Sequence, residues 1–143
     1  MDELKPGRVT GLGGVFIKYD DPEKIRKWYA EYLGIQIDEY GTSFEWRDAR
    51  DPDKKGFTVW SPFSKASEYF KPSNKEIMLN FIVDDLDAIL EKLAMKGVYR
   101  LSAIERTDYG RFAHIVDPEG TKIELWEADA ASYDKMIGEN RTY

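Results

Sequence analysis

The sequence predicts an α+β fold, in which two tandem βαβββ modules form a curved, largely antiparallel sheet around a cleft. The first observation is a repeat: Asp117-Pro118-Glu119-Gly120 predicts a tight turn leading into a strand, and Asp51-Pro52 begins a similar stretch. The second is that each half of the chain carries one helical apolar stripe among strands of alternating polarity. One helix per module places the helices on the outer face and leaves the inner face to line the cleft.

The two repeats differ at the position that carries a charge. When Asp51-Pro52 is laid over Asp117-Pro118, Thr58 aligns with Glu124 and Trp60 aligns with Trp126. Only the second repeat therefore presents a carboxylate, and we expect it on the inner face beside the indoles.

The first module is predicted over residues 8–62. A strand over Val9–Tyr19 is followed by a helix that begins at Asp21-Pro22, since aspartate is a good N-cap and proline suits the first helical position. The helix carries an apolar stripe and ends at Gly34, which suits a left-handed C-cap. The stripe consists of Ile25, Trp28, Tyr29, Tyr32 and Leu33. Three strands are predicted after it, over residues 35–40, 43–47 and 56–61.

A linker over residues 63–74 is predicted to contain one helical turn, at Ala66 to Phe70. The second module spans residues 75–128, and its helix is capped by Asp84-Asp85 and ended by Gly97. Four strands are predicted around this helix, over residues 75–83, 98–104, 111–116 and 121–127. The tail over residues 129–143 is predicted to form a short, partly ordered helix.

Composition excludes several classes of function. The formal net charge of the 143 residues is −6, from 21 basic and 27 acidic side chains, which argues against nucleic acid as a partner. There are no cysteines, which excludes disulfides and thiolate chemistry. No apolar run suggests a signal peptide or a membrane span, so we expect a cytoplasmic protein with no membrane partner.

The order of these features resembles the vicinal oxygen chelate superfamily, which includes glyoxalase I, bleomycin-resistance proteins, fosfomycin-resistance enzymes and extradiol dioxygenases. The resemblance covers roughly residues 8–128. It is carried by Asp-Pro after the first strand, by Tyr32-Leu33-Gly34 at the end of the first helix, and by Asp-Pro-Glu-Gly-x-x-Ile-Glu-Leu over residues 117–125. It implies paired βαβββ modules and a homodimer.

The resemblance also implies where a metal would bind in the metal-dependent members. Carried over by position, the four ligand places are Gly14, Thr58, Met78 and Glu124. Only Glu124 suits a divalent ion, because glycine has no side chain and a thioether is a poor ligand for hard ions. We therefore expect no metal and no other cofactor, unless His114 and Glu124 form an atypical site completed by Glu76 or Asn80.

Glu124 and His114 are the candidate catalytic residues. In an apolar cleft, desolvation would raise the pKa of Glu124 and make it a general base, whereas a solvent-facing Glu124 would simply pair with Lys122 or Lys18. His114 is either an acid–base group or a hydrogen-bonded histidine of a half-buried strand.

Aromatic side chains are the main candidates for ligand contact. Several occupy strand positions that alternate away from the helices. Any one of them alone is better explained as a core residue, but that explanation is weaker for all of them together. Tyr109 lies in a turn that would border the cleft. The predicted ligand-binding residues are Phe16, Phe44, Trp46, Thr58, Trp60, Met78, Asn80, Tyr109, Phe112 and Trp126.

The leading interpretation is a metal-independent protein that binds a small, partly aromatic or cationic molecule in an aromatic-lined cleft. Aromatic faces stack on planar or cationic ligands. The alternative is an isomerase or lyase of the glyoxalase type with Glu124 as general base. A third interpretation is a scaffold or regulatory module with a vestigial cleft.

Overall fold

The computed structural model describes residues 6–129 and 141–142. Two helices and eight strands lie in these ranges. In chain order they are β1 (Val9–Tyr19), α1 (Pro22–Leu33), β2 (Thr42–Arg47), β3 (Lys55–Ser64), β4 (Ile77–Val83), α2 (Leu86–Met95), β5 (Glu105–Thr107), β6 (Gly110–Val116), β7 (Lys122–Glu127) and β8 (Arg141–Thr142).

The strands form one mixed sheet in the order β5-β6-β7-β4-β1-β3-β2-β8. β1 and β4 are antiparallel neighbours at its centre, where Phe16 lies opposite Met78. On either side of this pair the next strand runs parallel, β3 beside β1 and β7 beside β4. The α+β class is therefore confirmed. One strand, one helix and three strands follow one another in the second half, whereas two strands follow the helix in the first, and the tandem duplication remains a prediction.

Both helices begin where their caps were predicted. The Asp21 side chain accepts a hydrogen bond from the backbone N–H of Lys24 at 3.1 Å, and Pro22 occupies the first turn. The Asp85 side chain accepts from the N–H of Ala88 at 3.0 Å in the same way. Gly34 ends α1 with a φ of 68°, which a residue with a Cβ adopts only at a cost.

The two helices cover the same face of the sheet, but they are not equally buried. α2 packs on a core that its Leu86 shares with β4, β6 and β7, and the buried members of that core are Val83, Leu86, Ala113, Ile115 and Leu125. No residue of α1 is fully buried. Its main ring contact with the sheet is Tyr29, which stacks on Trp60 of β3 with centroids 4.4 Å apart. Trp28 and Tyr32 of the predicted stripe remain exposed.

Two predicted strands are wrong. Over residues 35–40 a turn forms instead, held by a single bridge between Asp38 and Gly41, and the Asp38 side chain accepts from the N–H of Tyr40 at 2.8 Å. This side-chain bond offers the backbone an alternative to a strand ladder. Residues 98–104 are also not a strand, and the short β5 begins at Glu105 instead.

The connection between the halves differs from the predicted linker. β3 continues to Ser64, and residues 65–72 form turns and bends rather than a helical turn. Phe70 in this segment is completely buried. The predicted tail helix lies largely outside the described residues, and the described part of the tail, β8, pairs in parallel with β2.

The predicted alignment of the two repeats is out of register by one residue. Asn80 of β4 lies opposite both Gly14 of β1 and Glu124 of β7, and Gly14 in turn lies opposite Val59 of β3. Val59 therefore shares the face of Glu124, whereas Thr58 and Trp60 alternate to the other face. A shift of one residue exchanges the two faces of a strand. No helix in the described part of the chain has the length and hydropathy that crossing a membrane requires.

Candidate functional site

A cavity of about 510 Å³ lies on the sheet face opposite the helices. Its size falls in the range typical of small-molecule sites. Its wall combines aromatic rings, small residues and two carboxylates, namely Gly13, Phe16, Asp38, Tyr40, Gly41, Thr42, Ser43, Val59, Asn80, Tyr109, Phe112, Glu124 and Trp126.

Phe112 and Trp126 form the aromatic part of the wall. They are partners across β6 and β7, so their side chains point to the same face, and their rings are parallel within 7° with centroids 5.9 Å apart. The indole Nε1–H of Trp126 donates to the backbone oxygen of Tyr109 at 2.7 Å. This bond fixes the indole against the β5–β6 turn and holds Tyr109 at the edge of the cavity.

Glu124 is a buried carboxylate that accepts three hydrogen bonds. Only 4% of the residue is exposed. Asn80 Nδ2 donates to Oε1 at 2.6 Å, His114 Nε2 lies 2.8 Å from Oε2, and the Tyr69 hydroxyl donates to Oε2 as well. Buried carboxylates are stable only with such partners. Strand register provides two of them, because Asn80 on β4 and His114 on β6 flank Glu124 directly.

These contacts set the charge of the site. Burial alone would raise the pKa of Glu124, but hydrogen bonds from His114, Tyr69 and Asn80 outweigh it and hold that pKa below its ordinary value. The expectation of a raised pKa was therefore wrong, because it considered desolvation without the donors. Burial and the neighbouring Glu124 charge raise the pKa of the Tyr69 hydroxyl, which stays protonated and acts as a donor.

Tyr69 reaches Glu124 from the connection between the two halves. Its ring lies edge-on to His114 with centroids 5.6 Å apart. The Lys122 ammonium donates to the Tyr69 backbone oxygen at 2.6 Å and lies 5.0 Å from the centre of the ring. Lys122 is thus engaged by the connection and not by Glu124, which excludes the simple surface ion pair. Sequence reasoning missed Tyr69, because no local pattern indicates that a linker residue returns to a strand.

Asn80 holds an unsatisfied polar atom. The residue is 2% exposed, and its Oδ1 has no hydrogen-bond partner among the described residues. Nδ2 faces Glu124 because a carboxylate only accepts, so Oδ1 must point the other way. It lies 2.1 Å from the position where a Cβ on Gly13 would be, and both residues line the cavity. An orphaned buried acceptor of this kind requires an explanation.

Half of the predicted ligand-binding residues line the cavity, together with Glu124. These are Phe16, Asn80, Tyr109, Phe112 and Trp126. His114 contacts Glu124 from the neighbouring strand β6 and is not part of the cavity lining. Predicted members that the lining does not include are Phe44, Trp46, Thr58, Trp60 and Met78.

Four of these five residues make contacts outside the lining. Trp60 stacks on α1, and Met78 is fully buried beside Phe16 and Phe70. Trp46 lies over Gly11 and Gly56, where an added Cβ would meet its ring at 2.4 and 2.3 Å.

Thr58 joins Trp46 to β1. Its hydroxyl accepts from Trp46 Nε1 at 2.9 Å and donates to the backbone oxygen of Leu12 at 2.6 Å. Both polar atoms of this contact are therefore satisfied within the sheet. Val59, Ser43 and Gly13 were missed, and correct register for β3 would have identified Val59.

The residues at the expected metal positions do not fit a divalent ion. Glu124 has a suitable donor, but Thr58 points to the opposite face and Met78 offers only a thioether. In the described ranges, no three histidine or acidic side chains come together as a ligand set. Glu76, which was considered as a completing ligand, lies 3.2 Å from the Lys65 ammonium instead. We therefore derive no chemistry through a metal.

Comparison with known structures supports the fold. A methylmalonyl-CoA epimerase from Mycobacterium tuberculosis is 23% identical with a TM-score of 0.55, and the match covers 95% of this chain and 97% of that one. A Streptomyces coelicolor methylmalonyl-CoA epimerase variant in complex with 2-nitronate-propionyl-CoA is 17% identical with a TM-score of 0.63, covering 87% and 98%. A glyoxalase/bleomycin resistance protein/dioxygenase superfamily member from Vibrio splendidus 12B01 is 12% identical with a TM-score of 0.50, and the match covers 81% of this chain and 98% of that one.

No curated protein matches the sequence. A sequence model of one family does match, over residues 11–125, which is most of the chain. The chain belongs to the Glyoxalase/Bleomycin resistance protein/Dioxygenase superfamily.

Proposed function

We propose that this protein binds a small, largely apolar molecule in the cavity between Phe112, Trp126 and Val59. The observation that carries the proposal is the cavity itself, which combines about 510 Å³ of space with aromatic walls and buried polar groups, among them Asn80 and Glu124. Apolar walls with a few fixed polar groups are typical of ligand sites, since the walls supply affinity and the polar groups supply orientation.

Binding is favoured over catalysis by the state of Glu124. Its two carboxylate oxygens already accept from Asn80, His114 and Tyr69, and its pKa is lowered. A general base works best with a pKa near the working pH, and hydrogen bonds to the carboxylate reduce its basicity. The arrangement therefore suits a fixed anion that orients a ligand.

Calorimetric titration with 1-naphthylmethanol tests this proposal. The probe has a planar apolar body and a single hydroxyl, so it samples the walls without a charge. We expect Val59→Phe, which fills the cavity, to abolish binding.

Trp60→Phe is the matched control, because Trp60 neighbours Val59 in sequence but stacks on α1. We expect it to bind the probe as the unaltered protein does. Equal affinity of the Val59→Phe variant, or equal losses in both variants, would contradict the proposed site.

A second candidate is an isomerase or lyase in which Glu124 abstracts a proton from the ligand. It is favoured by the contact of Glu124 with both His114 and Tyr69, which gives the carboxylate two partners for proton exchange. Glu124→Gln would lower the rate about 10²–10⁴-fold if this were so. An unchanged rate in that variant would exclude it.

A further inference from the structure

We infer that the cavity selects ligands in which an apolar ring system carries a protonated amine, and that Asn80 Oδ1 accepts a hydrogen bond from that amine. The inference rests on the proposed function and adds the chemical class of the ligand. It depends on two independent observations, the orphaned oxygen of Asn80 and the sign of the charges in the cavity wall.

The orientation of Asn80 makes its free atom an acceptor. Since Nδ2 is committed to Glu124 Oε1 at 2.6 Å, only Oδ1 remains for another partner. Because only 2% of Asn80 is exposed, solvent water has little access to this oxygen in the ligand-free protein. A buried acceptor without a donor costs free energy, so a ligand that supplies an N–H or O–H removes that cost on binding.

Gly13 leaves the space in which Oδ1 lies. A Cβ at residue 13 would be 2.1 Å from Oδ1 and 3.0 Å from Ile82 Cγ1, so any larger residue would displace the amide. A glycine inside a strand commonly marks such a close approach. β1 also shifts register between Leu12 and Gly14, which places Gly13 beside the amide.

The charges in the wall favour a cation over a neutral donor. Asp38 and Glu124 both line the cavity, and within the described part of the chain no lysine or arginine does so. The nearby Lys122 ammonium is directed at the Tyr69 backbone oxygen. The faces of Phe112 and Trp126 also attract cations. Among the described residues, a ligand carboxylate would face these two like charges and no lining cation.

Four matched probes test the inference by calorimetry at neutral pH. They share a naphthalene ring and differ only in the substituent: 1-naphthylmethylammonium, 1-naphthylmethanol, 1-methylnaphthalene and 1-naphthoate. We expect the ammonium to bind about tenfold or more tightly than the alcohol and the methyl compound, and the carboxylate to bind most weakly.

The outcomes separate the two levels of the proposal. Equal affinity for the ammonium and the methyl compound, or preference for 1-naphthoate, would overturn the inference and leave apolar binding in place. Binding of none of the four probes would overturn both.

Asn80→Ala identifies the acceptor. We expect the variant to lose about tenfold or more in affinity for the ammonium while its affinity for 1-methylnaphthalene stays nearly constant. Because Asn80 also supports Glu124, Gly13→Ala provides a second variant that keeps the amide but forces Oδ1 from its place, and the same selective loss is expected. Equal losses for both probes in both variants would overturn the assignment of Asn80.

Discussion

Removal of the Tyr69 hydroxyl is the sharpest test of the Glu124 network. In Tyr69→Phe the ring keeps its contacts with Phe63 and His114, whose centroids lie 6.1 and 5.6 Å away. The change therefore removes only the contacts of the hydroxyl, which are its hydrogen bond to Glu124 and a longer contact with His114 Nε2 at 3.3 Å. A hydrogen bond to a charged group contributes about 1.5–3 kcal/mol. His114 remains on the same oxygen, so we expect the lower part of this range, about 1.5–2 kcal/mol of unfolding free energy.

The loss depends on pH in a definite direction. The folded state holds the pKa of Glu124 below its ordinary value of 4.5, so the stabilisation by its donors is complete above that value and disappears as the pH falls through the folded pKa. The difference between the unaltered protein and Tyr69→Phe is therefore expected to be large near pH 7 and to shrink as the pH falls below 4.5.

Urea denaturation at neutral pH and at acid pH measures both the loss of stability and its dependence on pH. Tyr99→Phe is the matched control, because Tyr99 is 69% exposed and surface substitutions usually change stability by less than about 0.5 kcal/mol. A Tyr69→Phe change as small as that of the control at neutral pH, or one that grows in acid, would refute the reasoning.

Three further predictions concern the frame around the site. Gly110→Ala is expected to lower the free energy of unfolding by about 1–3 kcal/mol or more. The reason is that φ is 125° and the new Cβ would lie 2.3 Å from the Glu127 backbone oxygen. Gly34→Ala, whose new Cβ would meet no atom of the described residues within 4 Å, is expected to lose less, and thermal denaturation compares the two variants. Arg111→Met is expected to lower the free energy of unfolding by about 1 kcal/mol in low salt and by less in high salt. The reason is that Arg111 bridges Asp87 and Glu127 at 2.8 and 3.0 Å near the surface. Urea titrations at two salt concentrations measure this loss, and a loss independent of salt would contradict the prediction. A chelator is expected to leave both the melting temperature and the affinity for 1-naphthylmethanol unchanged, because the donor set around Glu124 does not fit a divalent ion. A fall in either quantity that zinc reverses would contradict this prediction.

The sequence was most informative where structure is determined locally. The caps Asp21 and Asp85 and the C-cap Gly34 were predicted because each acts within one helical turn. The strand that holds Glu124 was predicted because the turn over Asp117–Gly120 precedes it and because Ile123 and Leu125 alternate with Lys122 and Glu124. The strand predicted over residues 35–40 is absent because Asp38 forms a side-chain turn, which the alternating pattern does not reveal.

Register and tertiary contacts could not be predicted in the same way. Both faces of β3 carry residues suited to a core, so the sequence does not indicate whether Thr58 or Val59 faces the cavity. Tyr69 is farther still from prediction, because its contact with Glu124 spans 55 positions and depends on the path of an irregular segment. The pKa direction of Glu124 was missed as a consequence, since Tyr69 and Asn80 are two of its donors.

The central claim is that a small molecule binds on the sheet face that holds Trp126 and not on the face that holds Trp60. The most direct measurement is a titration of the ¹⁵N-labelled protein with 1-naphthylmethanol, following the indole N–H resonances, which Trp126→Phe and Trp60→Phe assign. We predict a saturable shift of the Trp126 resonance, whose N–H donates to Tyr109 at the edge of the cavity, and no shift of the Trp60 resonance. A saturable shift at Trp60 with none at Trp126 would contradict the account.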